Sequence, residues 1–169
     1  SYDWPDRIYF LDRCCLLNRY ELDNGKDLVV INTHNSAYDN GDMKAAEMAY
    51  LKTLVESEYE KGNYVIVGGD WNQSPPFFDA DSFVQGSTDE ITPHSSVPKD
   101  FLTNWGWIYD PAFPTNRSLK TAFNRETTPK QLIDFYLLSP NVEIQDCRTM
   151  AMHFQYSDHE PVYIRVRLR

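Results

Sequence analysis

Tyr64-Val65-Ile66-Val67-Gly68-Gly69-Asp70-Trp71-Asn72-Gln73 is the stretch from which the rest of the chain can be read. The β-branched run Val65, Ile66 and Val67 predicts a strand buried on both faces. Gly68 and Gly69 then remove all side-chain bulk, and a carboxylate and an amide follow at Asp70 and Asn72. Residues two apart on an extended chain point the same way, so both polar groups can face one site. Pro75 and Pro76 end the strand just beyond. Two readings stand at this point. One is a strand end running into an ordinary Gly-Asp-Asn turn; the other is an apolar strand that delivers Asp-x-Asn to an active-site rim.

Upstream, Cys14 to Leu22 and Leu28 to Thr33 read as strands around the turn signal Asp23-Asn24-Gly25-Lys26, which predicts a hairpin. The second strand ends in the polar cluster Asn32-Thr33-His34-Asn35-Ser36. Asn40 or Asp42 can cap a helix running to about Lys61, with Met43, Ala46, Tyr50, Leu54 and Val55 at helical spacing and Glu47, Lys52 and Glu56 on other faces. Gly62 and Asn63 stop it. Strand, helix, strand at these lengths predicts a crossover that brings His34 and Asp70 to the same sheet edge, where open α/β sheets bind ligands.

Downstream, Ser74 to Asn116 reads as mostly loop, with a short helix near Pro98 to Trp105 and an aromatic group, Trp105 to Phe113, expected to pack in the core. Arg117, Lys120, Arg125 and Lys130 stand against the single acid Glu126, either a solvated loop face or a phosphate-facing loop. Gln131 to Leu138 predicts a strand with Asp134 inside it, an acid costly to bury without a partner. Val142 to Met150 and Pro161 to Leu168 predict two more strands, with Ser157-Asp158-His159-Glu160 before the last.

The 169 residues suit one domain with a sizeable core. Twenty-five acidic against 16 basic residues give a net charge of −9, which disfavours a general nucleic-acid coat but allows a phosphate held through a metal ion. No apolar run reaches the roughly 18 residues that span a bilayer. Cys14, Cys15 and Cys147 have no zinc-like spacing, and Cys14 and Cys15 are expected to pack as small hydrophobes.

Four polar clusters therefore sit at strand ends or in strands: His34, Asp70 with Asn72, Asp134, and Asp158 with His159. Singly each has a dull explanation. Together they supply what phosphate-ester hydrolysis needs: carboxylate for a divalent cation, an acid to orient or deprotonate water, and an amide and imidazoles for the charge developing on phosphorus. A buried Asp beside a His fixes the ring tautomer and favours its protonated form, a part that suits Asp134.

The ordered series Asn-Thr-His, Gly-Gly-Asp-Trp-Asn, Ile-Asp-Phe-Tyr-Leu-Leu-Ser and Ser-Asp-His-Glu-Pro-Val resembles the endonuclease/exonuclease/phosphatase (deoxyribonuclease I-like) superfamily over roughly Arg13 to Leu168. The resemblance implies an α+β fold, the C-terminal half of a four-layer αββα sandwich with a mixed sheet covered by helices. It implies that residues 1–169 are one partial domain lacking its N-terminal half. By the same resemblance Asp70 activates water, Asn72 holds the phosphate, and His159, oriented by Asp134, contacts the scissile phosphate with His34 beside it. Mg2+ or Mn2+ would be bound by Asp158, Asp70 and Asn72. Trp71 stands where phenylalanine is more usual, and Asn35 where leucine is common. The asparagine and metal-binding glutamate of the family's earlier half have no counterpart, since Glu21 and Glu47 fall on a hairpin strand and the covering helix.

The expectation is thus a divalent-metal-dependent phosphoesterase acting on nucleic acid, inositol phosphate or phospholipid. As this stretch alone it should be weak or inactive, and should associate through its bare sheet face with itself or with the missing half. The alternative is a non-catalytic binding module that keeps the fold.

Overall fold

The computed structural model describes residues 14–37, 42–83 and 95–169; the proposed cap Asn40 lies outside them. Strands β1 (Cys15–Glu21) and β2 (Asp27–His34) form the expected hairpin, with Cys15 opposite Thr33 and Glu21 opposite Asp27. Helix α1 (Asp42–Glu60) crosses over, and β3 (Tyr64–Asp70) returns parallel to β2. Then follow β4 (Gly106–Ile108), β5 (Asn116–Arg117), β6 (Lys130–Gln131), β7 (Asp134–Leu138), β8 (Val142–Thr149) and β9 (Val162–Leu168). The main sheet has the order β1-β2-β3-β7-β4, with β7 antiparallel to both neighbours. It is a mixed sheet in an α+β fold. Strands β5 and β6 make a small ribbon, and β8 and β9 a separate hairpin.

β3 is central, which is why its apolar run must serve both faces. Val65 and Val67 are fully buried with Val29, Ile31, Phe135 and Leu137 in the core that includes Met48, Leu51 and Val55 of α1. Tyr64, Ile66 and Leu138 form a second cluster on which Ile164, Val166 and Leu168 of β9 pack. At the β1 edge of the sheet Leu16 and Tyr20 stay 61% and 54% exposed.

Four expectations need correction. The buried face of α1 is Lys44, Met48, Leu51, Val55 and Glu58, not the row through Met43 and Tyr50, which are exposed. Charged ends disguise the true face because each is answered inside: the Lys44 ammonium donates to the Asn72 carbonyl at 3.2 Å, and Glu58 is paired as described below. The short helix near Pro98 to Trp105 is a pair of four-residue turns, Phe101 N–H to Pro98 carbonyl and Trp105 N–H to Leu102 carbonyl, broken by Leu102 at φ +53°. Past it, Gly106 to Ile108 pairs with β7 as an edge strand inside the expected loop. Cys14 is exposed, since it lies just before β1; Cys15 does pack against the core.

Glu58 carries a testable share of the stability. Its carboxylate accepts from Arg19 (2.8 Å), Lys61 (2.8 Å) and Asn63 (2.9 Å), with its side chain 5% exposed. The Arg19 bond is the main cause that holds its pKa down, to about 2, against the opposing effect of burial. A depressed folded pKa stabilises above the ordinary carboxylate value of 4.5 and is lost as pH falls toward 2. Allowing for solvent at the part-exposed Arg19, the effect is on the order of 2 kcal/mol. Urea titrations should therefore show the gap between wild type and Glu58→Gln shrinking from about pH 5 to about pH 2.5. A constant gap would contradict this account.

Candidate functional site

Register builds the site. In the parallel pair β2–β3, His34 lies opposite Asp70; in the antiparallel pair β3–β7, Asp70 lies opposite Asp134. Three of the expected residues thus form one row across three neighbouring strands, at the C-terminal ends of β2 and β3. That row needs close strand approach. Gly69 adopts φ +139°, and a Cβ there would sit 2.0 Å from the Thr33 carbonyl oxygen, so no other residue fits. At Gly68 a Cβ would meet the Tyr136 ring at 2.5 Å.

Two carboxylates facing each other across a ladder repel. His159 lies between them. Its Nδ1–H donates to Asp134 Oδ2 at 2.8 Å, and its Nε2 is 3.8 Å from Asp70 Oδ2. Burial opposes charge on this imidazole, but the Asp134 hydrogen bond and the negative charges of Asp134, Asp70 and Asp158 outweigh it and raise its pKa above the ordinary value. Asp70 is pushed up by burial and by the charge of Asp134, against the Asn72 N–H and the two imidazoles. His34, with its side chain 58% exposed, brings Nε2 to 3.5 Å from Asp70 Oδ2.

Asn72 turns the corner. It adopts φ +48°, which asparagine tolerates. Its backbone N–H donates to Asp70 Oδ1 at 2.8 Å, and its amide donates to the Asn35 carbonyl at 2.8 Å while 5% exposed. In this arrangement Asn72 ties the His34–Asn35 segment to the end of β3. Asp158 is half-buried beside His159, and its carbonyl accepts the Arg117 N–H at 3.0 Å.

Sequence reasoning missed Thr115, Asn116 and Gln131. The Thr115 hydroxyl accepts the N–H groups of Ile133 and Asp134, both at 3.0 Å, and so fixes where β7 begins. The Asn116 amide nitrogen is 2.9 Å from His159 Nε2, and its oxygen accepts from Gln131 Nε2 at 3.1 Å. Their one sequence signal is position: Asn116 and Gln131 bracket the basic segment.

Asp70 and Asp158 are oxygen donors of the kind Mg2+ takes, one or two carboxylates completed by waters and substrate oxygens. The described residues hold no group of three His, Cys, Asp or Glu placed to grip an ion. The chemistry of this donor set fits part of a hard-cation site rather than a whole one. As a rim of half-buried carboxylates and an oriented imidazole at strand ends, the arrangement can orient water, accept a proton and meet an anion.

Among solved structures, the chain has the fold of endonuclease/exonuclease/phosphatase proteins. It aligns over 90% of its length with a 3′-5′ exonuclease from Neisseria meningitidis (TM-score 0.61, 23% identity, 64% of that chain). It aligns over 98% with an endonuclease/exonuclease/phosphatase from Bacteroides vulgatus (TM-score 0.60, 17% identity, 61% of that chain). The catalytic domain of human Nocturnin, solved with a bound sulfate anion, matches over 94% (TM-score 0.59, 13% identity, 54% of that chain). At these identities the likeness is one of fold, and the chain spans about half to two-thirds of the length of these three structures. No protein-family model and no curated protein matches it.

Proposed function

We propose that the protein hydrolyses a phosphate ester by in-line attack of water on phosphorus. The observation that carries this is the row His34–Asp70–Asp134 with His159 set between its two acids. Asp70 Oδ2 is the proton acceptor for the attacking water, in a half-buried position that keeps bulk water from competing. Asp134 holds His159 by Nδ1, and Nε2, which the Asn116 amide nitrogen meets at 2.9 Å, would exchange that neighbour for the scissile phosphate, where an imidazolium stabilises charge. His34 offers a second imidazole from the adjoining strand, while the Asn72 amide nitrogen, buried and donating to the Asn35 carbonyl, holds that strand end in place rather than reaching the phosphate. A divalent cation, Mg2+ or Mn2+, would be held by Asp158, Asp70 and Asn72 and would neutralise phosphate and leaving-oxygen charge.

The test is a panel of nucleic acid, inositol phosphate and phospholipid substrates run on the full-length parent, each with magnesium and with chelator; the 169 residues alone should turn these over weakly or not at all. Turnover that needs the metal supports the reading. Binding of an ester with no turnover by any form of the protein would favour a binding module instead.

The bare sheet face bears on partners. Leu16 and Tyr20 are exposed on β1 beside Val30 of β2, a patch of the kind that promotes association. Light scattering is expected to find species larger than one chain, and Leu16→Glu to shift them toward monomer. A clean wild-type monomer would end this proposal.

A further inference from the structure

Asn116 reaches His159 from β5, a two-residue strand stitched on both sides. It pairs with Gln131 of β6 on one side and bridges to His159 on the other, both antiparallel. The Thr115 N–H donates to the Gln131 carbonyl at 2.9 Å, and the Thr115 carbonyl accepts the Glu160 N–H at 2.7 Å. The Arg117 N–H donates to the Asp158 carbonyl at 3.0 Å. The same Thr115 takes the Ile133 and Asp134 N–H groups on its hydroxyl. The backbone at Asn116 is therefore fixed relative to both Asp134 and His159. Residues paired across a ladder share a face, so the Asn116 side chain meets those of Gln131 and His159.

A side-chain amide can turn either way, and its neighbours here decide which. The Asn116 oxygen accepts from Gln131 Nε2 at 3.1 Å. Its nitrogen carries two hydrogens: one reaches the Asp158 carbonyl at 3.3 Å, and the other faces His159 Nε2 at 2.9 Å. Turned over, the amide would set oxygen against the Asp158 carbonyl oxygen and nitrogen against the Gln131 nitrogen, two pairs of like groups. Asn116 is thus locked as a donor toward His159. Gln131, 6% exposed, holds that orientation from behind. Asp134 takes the His159 Nδ1–H at 2.8 Å, which leaves Nε2 and the amide N–H side by side. Nε2 also lies 3.8 Å from Asp70 Oδ2, so this pair of nitrogens adjoins the proposed proton acceptor.

We propose that Asn116 is a further substrate-binding residue: its amide N–H and His159 Nε2 donate to two oxygens of the one scissile phosphoryl group. This contact rests on the phosphoesterase reading, in which Nε2 is a donor to that group. Two donors side by side have nothing to give each other, and a donor left without an acceptor is costly. A phosphoryl group brings adjacent acceptor oxygens and so satisfies both, as it does the paired N–H groups of a guanidinium. Phosphorus held there lies beside Asp70, where the attacking water is activated. A donor fixed before substrate arrives needs no reorganisation during the reaction, the condition under which such bonds favour the transition state. Two non-bridging oxygens suffice, so phosphate monoesters and diesters both fit.

Titration calorimetry of the full-length parent with inorganic phosphate, in chelator, tests the contact apart from chemistry. Asn116→Ala should weaken phosphate binding about tenfold or more. Asn116→Asp should weaken it further, because a carboxylate repels the anion although it keeps the shape and the Gln131 bond. A merely structural Asn116 would make Asp the milder change. On a His159→Ala background, Asn116→Ala should still weaken binding severalfold, whereas a residue that only holds the ring would cost nothing more there. In turnover, Asn116→Ala should lower kcat/KM by about 10²-fold. No phosphate binding by wild type, Asp no worse than Ala, or no further loss on the His159→Ala background overturns the contact. Ester turnover that Asn116→Ala leaves intact also removes it, and spares the phosphoesterase reading. Phosphate binding weakened as expected, with no ester turned over by wild type, keeps the contact and removes that reading instead.

Discussion

Replacing Asp70 by Asn is expected to lower phosphate-ester hydrolysis by about 10²–10⁴-fold, the range for loss of a positioned proton acceptor. The substitution is close to isosteric. The amide oxygen of Asn can still accept the Asn72 N–H that now reaches Asp70 Oδ1 at 2.8 Å, so the turn after β3 should survive. What disappears is a charge. Asp70 sits opposite Asp134 on the ladder, and burial and that neighbour both make its ionised form costly. Removing it relieves the repulsion, so thermal stability should stay level or rise while activity falls, the trade expected at a functional site. The combination with His159→Ala should cost little more than the worse single change, because both act on one reacting centre. An Asp70→Asn protein that kept full activity would show that the water is activated elsewhere, and the assignment of this rim would be wrong.

The fold was readable where local chemistry and tertiary demand coincide. Val65 to Val67 read as central because an unbroken β-branched run has no polar face to give to water, and the crossover followed from the lengths of its neighbours. Reading failed where a buried residue does not look buried. Lys44 and Glu58 belong to the inner stripe of α1 because the Asn72 carbonyl and the Arg19–Lys61–Asn63 group answer them across the fold. No periodicity in residues 42–60 contains that information. Edge strand β4 was hidden for a similar reason: three residues, Gly106 to Ile108, become a strand only because β7 lies beside them.

The site shows the same division. His34 and Asp70 were found as polar residues at the ends of apolar strands, and Asp134 as an acid inside a strand from Gln131 to Leu138 that the structure instead breaks after Gln131 and restarts at Asp134; the register then put the three in one row. Asn116 and Gln131 could not be found that way. They belong to two-residue strands in a polar stretch, and their meaning arises from the backbone bridge that joins Asn116 to His159. Positions given by pairing across long loops leave no mark in local pattern, which is why the basic segment between them stayed ambiguous in the sequence.

Truncating Trp71 to Ala is expected to destabilise the protein by about 3–5 kcal/mol, the usual cost of emptying a large aromatic site. Against a total stability of about 5–15 kcal/mol that is a large share. Trp71 is fully buried, stacked on Phe135 at 5.1 Å and met edge-on by Trp107 at 5.3 Å. Its indole N–H donates to the Phe135 carbonyl at 3.0 Å, and its backbone N–H to the Ile133 carbonyl at 2.9 Å. One side chain therefore clamps the strand carrying Asp70 to the strand carrying Asp134. Trp71→Phe separates the two contributions. It keeps the stack on Phe135 but drops the indole bond, for an expected cost of about 1–3 kcal/mol. Because the clamp spans the carboxylate pair, Trp71→Phe should also loosen the His159–Asp134 contact and lower turnover with no group lost from the rim. Urea midpoints for the two variants decide the stability claim. A Trp71→Ala midpoint within experimental reach of wild type would mean that the two strands are held together by something other than this ring.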